Sequence, residues 1–441
     1  MKKFTAFLSL LLVLLMMTTG CGSKPSSSSA AESPNGVTTI SLGLWGTGDE
    51  IKREQELVDS FMKANPKIKV KLVYKDWDSY WTWLTAQAAA KDLPDIYKID
   101  PAYLPQYADL GALKDLTDLI KKNNYDLSNY SKSVLDSLSS NGKLVALPRD
   151  ANTVVFAYNK DMLKKAGIPE PSEEITWDQV VEMAKKLTID ANGNNADSPN
   201  FDYKHIKQWG ISVDAASQSD SVLEPELYSN GATLVDSNHN LSLNTPEAMQ
   251  VLNFFKDLTV KDHVNVPTSA MKSVGNDPTL VLASKRVAMS FTGSWNMADL
   301  KNAGINFGIT LPPKFNEVKT VVQPTGYVMS PYTAKESAAW KLLSWISGSD
   351  GQKVMASKGQ ALPANKQAIE AYTSSSTDNT YNPQVFFDAA KYAIPNPYFK
   401  GKQKLWWEYL PQKLELPLNG QGDISKAIQD VDSLWKANKD N

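Results

Sequence analysis

Cysteine is almost absent: the 441 residues contain one, Cys21, which leaves no partner for an intrachain disulfide. Histidine is nearly as scarce. His205, His239 and His263 stand far apart, outside HExxH or any other metal-ligand spacing, and each reads as an ordinary surface or loop residue. No G-x-x-x-x-G-K-[ST] loop is present, so this chain is not a P-loop ATPase, and no G-x-S-x-G elbow marks a serine hydrolase. "SFMK" at 60–63 matches S-x-x-K, but it lacks SDN and KTG partners, and Phe61 and Met62 belong to a core-facing pattern. Charge of either sign is not in excess. Lys and Arg number 46 against 48 acids, a net charge of −2, which gives nucleic acid no electrostatic handle. No cofactor, metal site or catalytic constellation is expected, although 48 acids always contain candidate carboxylate pairs for glycoside cleavage.

What is present begins at the N-terminus. Lys2 and Lys3 precede an apolar stretch, Phe4 to Met17, of about fourteen residues, short of the roughly twenty that span a bilayer. The small residues Thr18, Thr19 and Gly20 follow, as at a signal-peptidase site. "TTGC" resembles a bacterial lipobox, with Thr18 where such boxes usually carry Leu. That resemblance implies a cleaved signal at 1–20 and a lipid anchor on Cys21, two chains being the number needed for stable attachment. Residues 21–36, rich in Ser, Ala, Pro and Gly, then read as a flexible tether. The expected location is the extracytoplasmic face of the cell membrane. An exported chain without disulfides relies on its hydrophobic core, which about 400 residues can supply.

Beyond the tether, strand and helix signals alternate. "VTTISLGLW" (37–45) has strand alternation, "TGDE" (47–50) reads as a capping box, and Ile51, Val58, Phe61 and Met62 share a helix face. "IKVKLVY" (68–74), "SYWTWLTAQAAAK" (79–91) and "PDIYKI" (94–99) continue as strand, helix and strand. A second series starts at 144–150 and 153–161. It includes a helix at 176–187 capped by Thr176 and Gln179, and one at 245–258 with Thr245 as cap and Pro246 in its first position. Strands at 308–331 and a glycine-ended helix at 335–348 precede a helical tail. Two βα series in this length argue for two α/β lobes, with ligand outside the carboxyl ends of strands.

Taken in order, "ISLGLWGTGDE…LVDSFMKANPKIKV", "PDIYKID…YADLGALKDLTDLI", "LVALPRDANTVVFAYNKDML", "GSW" and "ALPANKQA" resemble the family 1 extracellular solute-binding proteins of ABC importers, the group of maltose- and oligosaccharide-binding proteins. The resemblance covers nearly all of 37–441. It implies a type II periplasmic-binding-protein-like fold, each lobe a mostly parallel sheet flanked by helices, joined by hinge crossings. Those crossings are expected near Arg149–Asn152, Leu311–Pro313 and Gln360–Pro363, so that 37–150 with 313–361 forms one lobe and 151–312 with 362–441 the other. The implied function is capture of a carbohydrate, an oligosaccharide by preference, and its delivery to the membrane permease of an importer whose ATPase lies on the other face. The implied state is a monomer without enzymatic activity. Alternatives are a non-sugar solute (a phosphorylated polyol, polyamine or peptide) or a surface-anchored polysaccharide hydrolase.

Sugar chemistry selects the candidate residues. C–H-rich sugar faces suit flat aromatic rings, and hydroxyl rims suit carboxylates, amides and Arg. Trp45 with Asp49 and Glu50, Trp77, and Trp295 stand at strand or loop ends, Asp100 follows the third strand, and Arg149 with Asp150 occupies the first crossing. Gly326 and Tyr327 in "PTGYV" offer an amide and a ring, and Trp407 of the "WW" pair is the ligand-facing partner by family pattern. Asp100 and Asp150 read equally as caps of turns, and "TGY" equally as a chain turn. Of Trp81 and Trp83 one is expected in the core and the other outside, while Trp177, Trp340 and Trp345 read as core.

Overall fold

The computed structural model describes residues 36–275, 277, 279–359, 361–375, 380–394 and 398–439; the expected signal at 1–20, Cys21 and the expected tether as far as residue 35 lie outside them. The first series forms as its pattern dictates: strand β1 (Thr38–Trp45), helix α1 (Gly48–Ala64), β2 (Ile68–Lys75), α2 (Trp77–Ala90) and β3 (Ile96–Ile99). α1 starts at the expected place, yet the Thr47 side chain makes no capping bond. Glu50 instead lies 3.7 Å from the Lys98 ammonium, a charge that outcompetes a cap. α2 begins two residues early because Asp76 accepts the Ser79 amide at 3.0 Å and caps it. The capping box of Thr176 and Gln179 and the Thr245 cap both form.

A hairpin of β4 (Ser139–Ser140) and β5 (Lys143–Leu144) leads into β6 (Leu147–Asn159), one continuous strand where two were expected. The remaining strands are β7 (Ile189–Asp190), β8 (Ile206–Ser212), β9 (Val287–Gly293), β10 (Phe307–Thr310) and β11 (Val322–Met329). They make one nine-stranded sheet in the order β2-β1-β3-β11-β6-β9-β8-β7, with β10 also on β6. Pairing is parallel in β2-β1-β3 and in β8-β9. It is antiparallel where β11 and β6 join them, so the sheet is mixed rather than mostly parallel. The reason is topological: the strands that carry the chain between halves run against those they meet.

The core divides with the sheet. Leu42, Leu44, Val58 and Phe61 pack with Trp340 and Leu343 on one face of the first half, and Tyr80, Leu84, Tyr97 and Tyr107 on the other. The second half has Trp177, Leu252, Phe255 and Trp406 on one face, and Leu300, Phe307, Tyr372 and Phe386 on the other. β6 spans both: Leu147 packs in the first half, Val154 to Tyr158 in the second, and Arg149, Asp150, Asn152 and Thr153 form a buried polar run between. Leu311–Pro313 make no crossing. Leu311 and Val318 stay in the second core, Thr320 donates to the Val154 carbonyl at 2.7 Å, and the passage falls within β11. Backbone bonds from Lys314 to Ile175 and from Asn316 to Ser229 hold that stretch to the second half. Pro363 bridges Asp150 and the Ala151 amide donates to Leu362, which places the last passage beside the first.

Candidate functional site

The ends of β1 and β3 and the start of α2 bring aromatic rings together. Trp45 lies 5.1 Å from Trp77 and 5.4 Å from Trp81, ring centroid to centroid, and Trp77 meets Trp81 edge-on at 5.3 Å. Edge-to-face geometry sets the positive rim of one ring against the negative face of another. The Lys98 ammonium sits 3.8 Å over the Trp45 ring, and burial, with Arg149 nearby, holds it below the usual lysine range. Tyr103 stacks on Trp81 at 3.6 Å and 11°. It occupies the short turn Pro101–Tyr103, capped by Asp100, whose carboxylate accepts the Ala102 amide at 2.9 Å. Burial pushes the Asp100 carboxyl up to about 7 despite that bond, and the charges of Asp220 and Asp150 add to the rise.

The second half answers with two π-helical turns, Ser219–Leu223 and Leu405–Tyr409. Such turns are rare and concentrate at functional sites. They are tied to each other, the Ser219 hydroxyl donating to the Trp406 carbonyl. The first presents Asp220, which accepts from the Gln323 amide at 2.6 Å; burial raises its pKa, while Trp407, Gln323 and Ser221 favour its charged form. Glu224 follows one turn later and accepts from the Trp406 indole at 2.7 Å and from Lys402 at 3.3 Å. Burial drives this pair toward its neutral forms, Glu224 upward and Lys402 downward. Trp406 is buried in the core, while Trp407 reaches the first half, 5.5 Å from Trp77 at 90° and 5.5 Å from Tyr103 at 24°. Further contacts between the halves are Lys400 with Asp109 at 2.9 Å, Arg53 with Asp299 at 3.5 Å, and Gln403 with Gln106 at 3.4 Å.

Of the residues singled out from sequence, Trp45, Glu50, Trp77, Asp100 and Trp407 meet around this junction. Arg149, Asp150 and Tyr327 lie behind it, committed to one another. Arg149 is ion-paired to Glu54 and Asp150 and donates to the Tyr327 hydroxyl at 3.0 Å, with all four side chains buried. Asp150 also accepts the Thr325 amide and hydroxyl, each at 2.9 Å. Gly326 offers no open amide: a Cβ there would meet Leu138 at 2.8 Å and Ala146 at 3.0 Å, so it is a packing position. Asp49 is exposed and paired with Lys52 at 2.6 Å, because it opens α1 on the solvent side. Trp295 joins no ring of the junction; its indole covers Gly293, leaving room for no side chain there.

Sequence reasoning missed Tyr103, Asp220, Glu224, Gln323 and Lys402. The four-residue spacing of Asp220 and Glu224, which sets both on one helical face, was the available signal. The remaining tryptophans divide by environment. Trp81, Trp177 and Trp340 are buried, Trp83 and Trp345 half-buried. Among the described residues no group of three or more His, Cys, Asp or Glu is arranged to hold a metal. A cavity of about 570 Å³ lies elsewhere, lined by Tyr158, Lys160, Glu170 and Tyr381.

Aromatic rings and carboxylates from the two halves of one sheet thus meet at this junction. A family model for bacterial extracellular solute-binding proteins matches residues 56–383. The chain is a bacterial extracellular solute-binding protein. This solute-binding protein is 23% identical to the galactooligosaccharide-binding protein of Bacillus subtilis over 97% of its own length and 95% of that relative. It is 27% identical to the arabinooligosaccharide-binding protein of the same organism over 60% of its length and 57% of that relative. Among solved structures, an ABC substrate-binding protein from Listeria monocytogenes in complex with cycloalternan superposes with a TM-score of 0.80. That match is 25% identical and covers 91% of this chain and 99% of the other. The architecture is therefore the type II periplasmic-binding fold, with a large curled mixed sheet flanked by helices.

Proposed function

We propose that the protein captures an oligosaccharide between its two halves and delivers it to the permease of an ABC importer, the ATPase being a separate chain on the other face. The observation that carries this reading is the junction itself: Trp77, Tyr103 and Trp407 from opposite halves within 6.4 Å of one another, with Asp100 and Asp220 beside them. Stacking faces next to hydrogen-bond acceptors are what a sugar ring requires. The names of the relatives and of the superposed complex support the same substrate class. Trp45, Glu50, Trp77, Asp100 and Trp407 are the proposed ligand contacts, with Tyr103 and Asp220 added. Arg149, Asp150 and Tyr327 hold the crossing strands behind them.

The halves act as lobes: 37–150 with 322–361, and 151–321 with 362–441. They hinge where β6, β11 and the Leu362–Pro363 segment lie side by side. Cys21 carries the lipid that holds the monomer to the outer face of the membrane.

The test is tryptophan fluorescence and melting temperature against maltooligosaccharides, galactooligosaccharides, polyol phosphates, polyamines and peptides. A ligand at a hundredfold excess over its Kd stabilises the fold by about 2.7 kcal/mol. A saturable rise with one sugar class and no product by chromatography supports the reading. A rise only with another solute replaces the substrate, and product formation replaces binding by catalysis.

A further inference from the structure

The charges at the junction do not balance, and the imbalance has a direction. Lys98 is paired with Glu50, Arg149 with Glu54 and Asp150, Lys402 with Glu224, Arg53 with Asp299 and Lys400 with Asp109. Asp100 and Asp220 are held differently. Asp100 accepts one backbone amide and Asp220 the Gln323 side-chain amide, with Trp407 and Ser221 beside it, all neutral groups. Among the described residues neither forms an ion pair with a Lys or Arg. Each carboxylate is near one ring of the near-parallel Tyr103–Trp407 pair: Asp100 caps the turn that ends in Tyr103, and Trp407 acts on the Asp220 carboxyl.

A second feature lies at the contact between the halves. Gln403, 7% exposed and reaching across to Gln106, has an Oε1 with no hydrogen-bond partner. The junction thus presents two carboxylates, an unmet amide oxygen and the negative faces of several rings. Lys98 and Lys402 act on Asp100 and Asp220 only from beyond ion-pair distance, and carboxylates and π faces so placed are what an ammonium group takes. Two carboxylates fall short of the six to eight oxygens that a calcium ion prefers.

We propose that the site selects an amine-bearing saccharide, its protonated amine seated between Asp100 and Asp220 against the Tyr103–Trp407 rings. This rests on the saccharide reading above and narrows it. A neutral sugar meets the same acceptors through hydroxyls, with weaker bonds than a charged donor makes. A uronate or sugar phosphate meets like charge and is rejected. Burial and mutual repulsion raise both carboxyls, and a bound cation relieves that condition.

Isothermal titration at pH 7 with the glucosamine trimer, the N-acetylglucosamine trimer, maltotriose and the galacturonate trimer tests it, on the full chain and on Asp220→Asn and Asp100→Asn. The amine trimer is expected to bind at least about tenfold tighter than its N-acetylated form, as one charge-assisted bond provides. The galacturonate trimer is expected not to bind. In both variants, with circular dichroism verifying the fold, the ratio of the amine to the N-acetyl affinity falls toward one. Neutral trimers bound as tightly as the amine, or a ratio unchanged in both variants, overturns the proposal and leaves the saccharide reading standing. Binding of spermidine with no saccharide bound overturns both.

Discussion

Tyr103 and Trp407 each depend on a partner from the other half, so each is a single point of failure for ligand stacking. Replacing either with Ala should weaken saccharide binding about tenfold, the scale of one lost aromatic contact, as read by titration calorimetry. Trp295→Ala should leave that affinity unchanged, because its indole covers Gly293 instead of joining the junction. Asp100 gives a pH signature. Its carboxyl is raised from the ordinary value of 3.8 to about 7, so keeping it ionised in the fold costs stability. That cost is nil below pH 3.8, grows as pH rises, and is complete above about 7. Asp100→Asn removes it. The melting temperature of the variant relative to the natural chain should therefore rise between pH 4 and pH 7 and level off beyond, in ligand-free thermal scans.

The elements that matter most are the ones that change halves. β6 buries Arg149 and Asp150 where it leaves the first half, and α1 supplies Glu54 to meet them. Removing one member of a buried ion pair strands the other, at about 3–5 kcal/mol. Glu54→Ala should lower stability by about the lower end of that range, since Asp150 still faces Arg149, measured by urea unfolding. Asp49→Ala, five residues earlier on the same helix, should leave the midpoint unchanged, because its carboxylate lies in solvent. Gly326 makes the same point for β11. A methyl group there collides with Leu138 and Ala146, so Gly326→Ala should cost about 1–3 kcal/mol while saccharide affinity in the folded fraction stays the same. These elements were legible in the sequence as strands and helices. Their caps were legible only where no nearby charge competed: Thr176 and Gln179 form their box, whereas Glu50 leaves Thr47 for Lys98.

Across the whole molecule, the halves meet through Trp407 on Tyr103 and Trp77, through Lys400 with Asp109 and through Gln403 with Gln106. Lys400 with Asp109 is exposed, where an ion pair contributes little, Arg53 with Asp299 spans 3.5 Å, and the buried Gln403 reaches Gln106 only at 3.4 Å, so the ring contacts dominate this arrangement. Trp407→Ala should then open the molecule. Small-angle scattering is expected to give a larger radius of gyration for the ligand-free variant than for the natural chain, and saturating ligand should narrow the difference. An unchanged radius would mean that closure does not depend on that ring.

By itself the sequence determined the elements and their order, since periodicity, caps and chain punctuation are local properties. It also offered Trp45, Trp77 and Asp100 as candidates, because strand ends can be read along the chain, whereas Trp407 came from the family pattern. Tertiary structure decided everything that depends on which side chains meet. Arg149, Asp150 and Tyr327 satisfy one another across β6 and β11, a pairing between residues up to 178 positions apart that no local pattern encodes. Asp220 and Glu224 drew no notice in the sequence, because only the π-helical turns and their burial set them at the junction. Leu311–Pro313 looked like a crossing until the backbone bonds of Lys314 and Asn316 held the following stretch to the second half. Burial and charge balance arise only when distant segments are brought together, so no local pattern along the chain carries them.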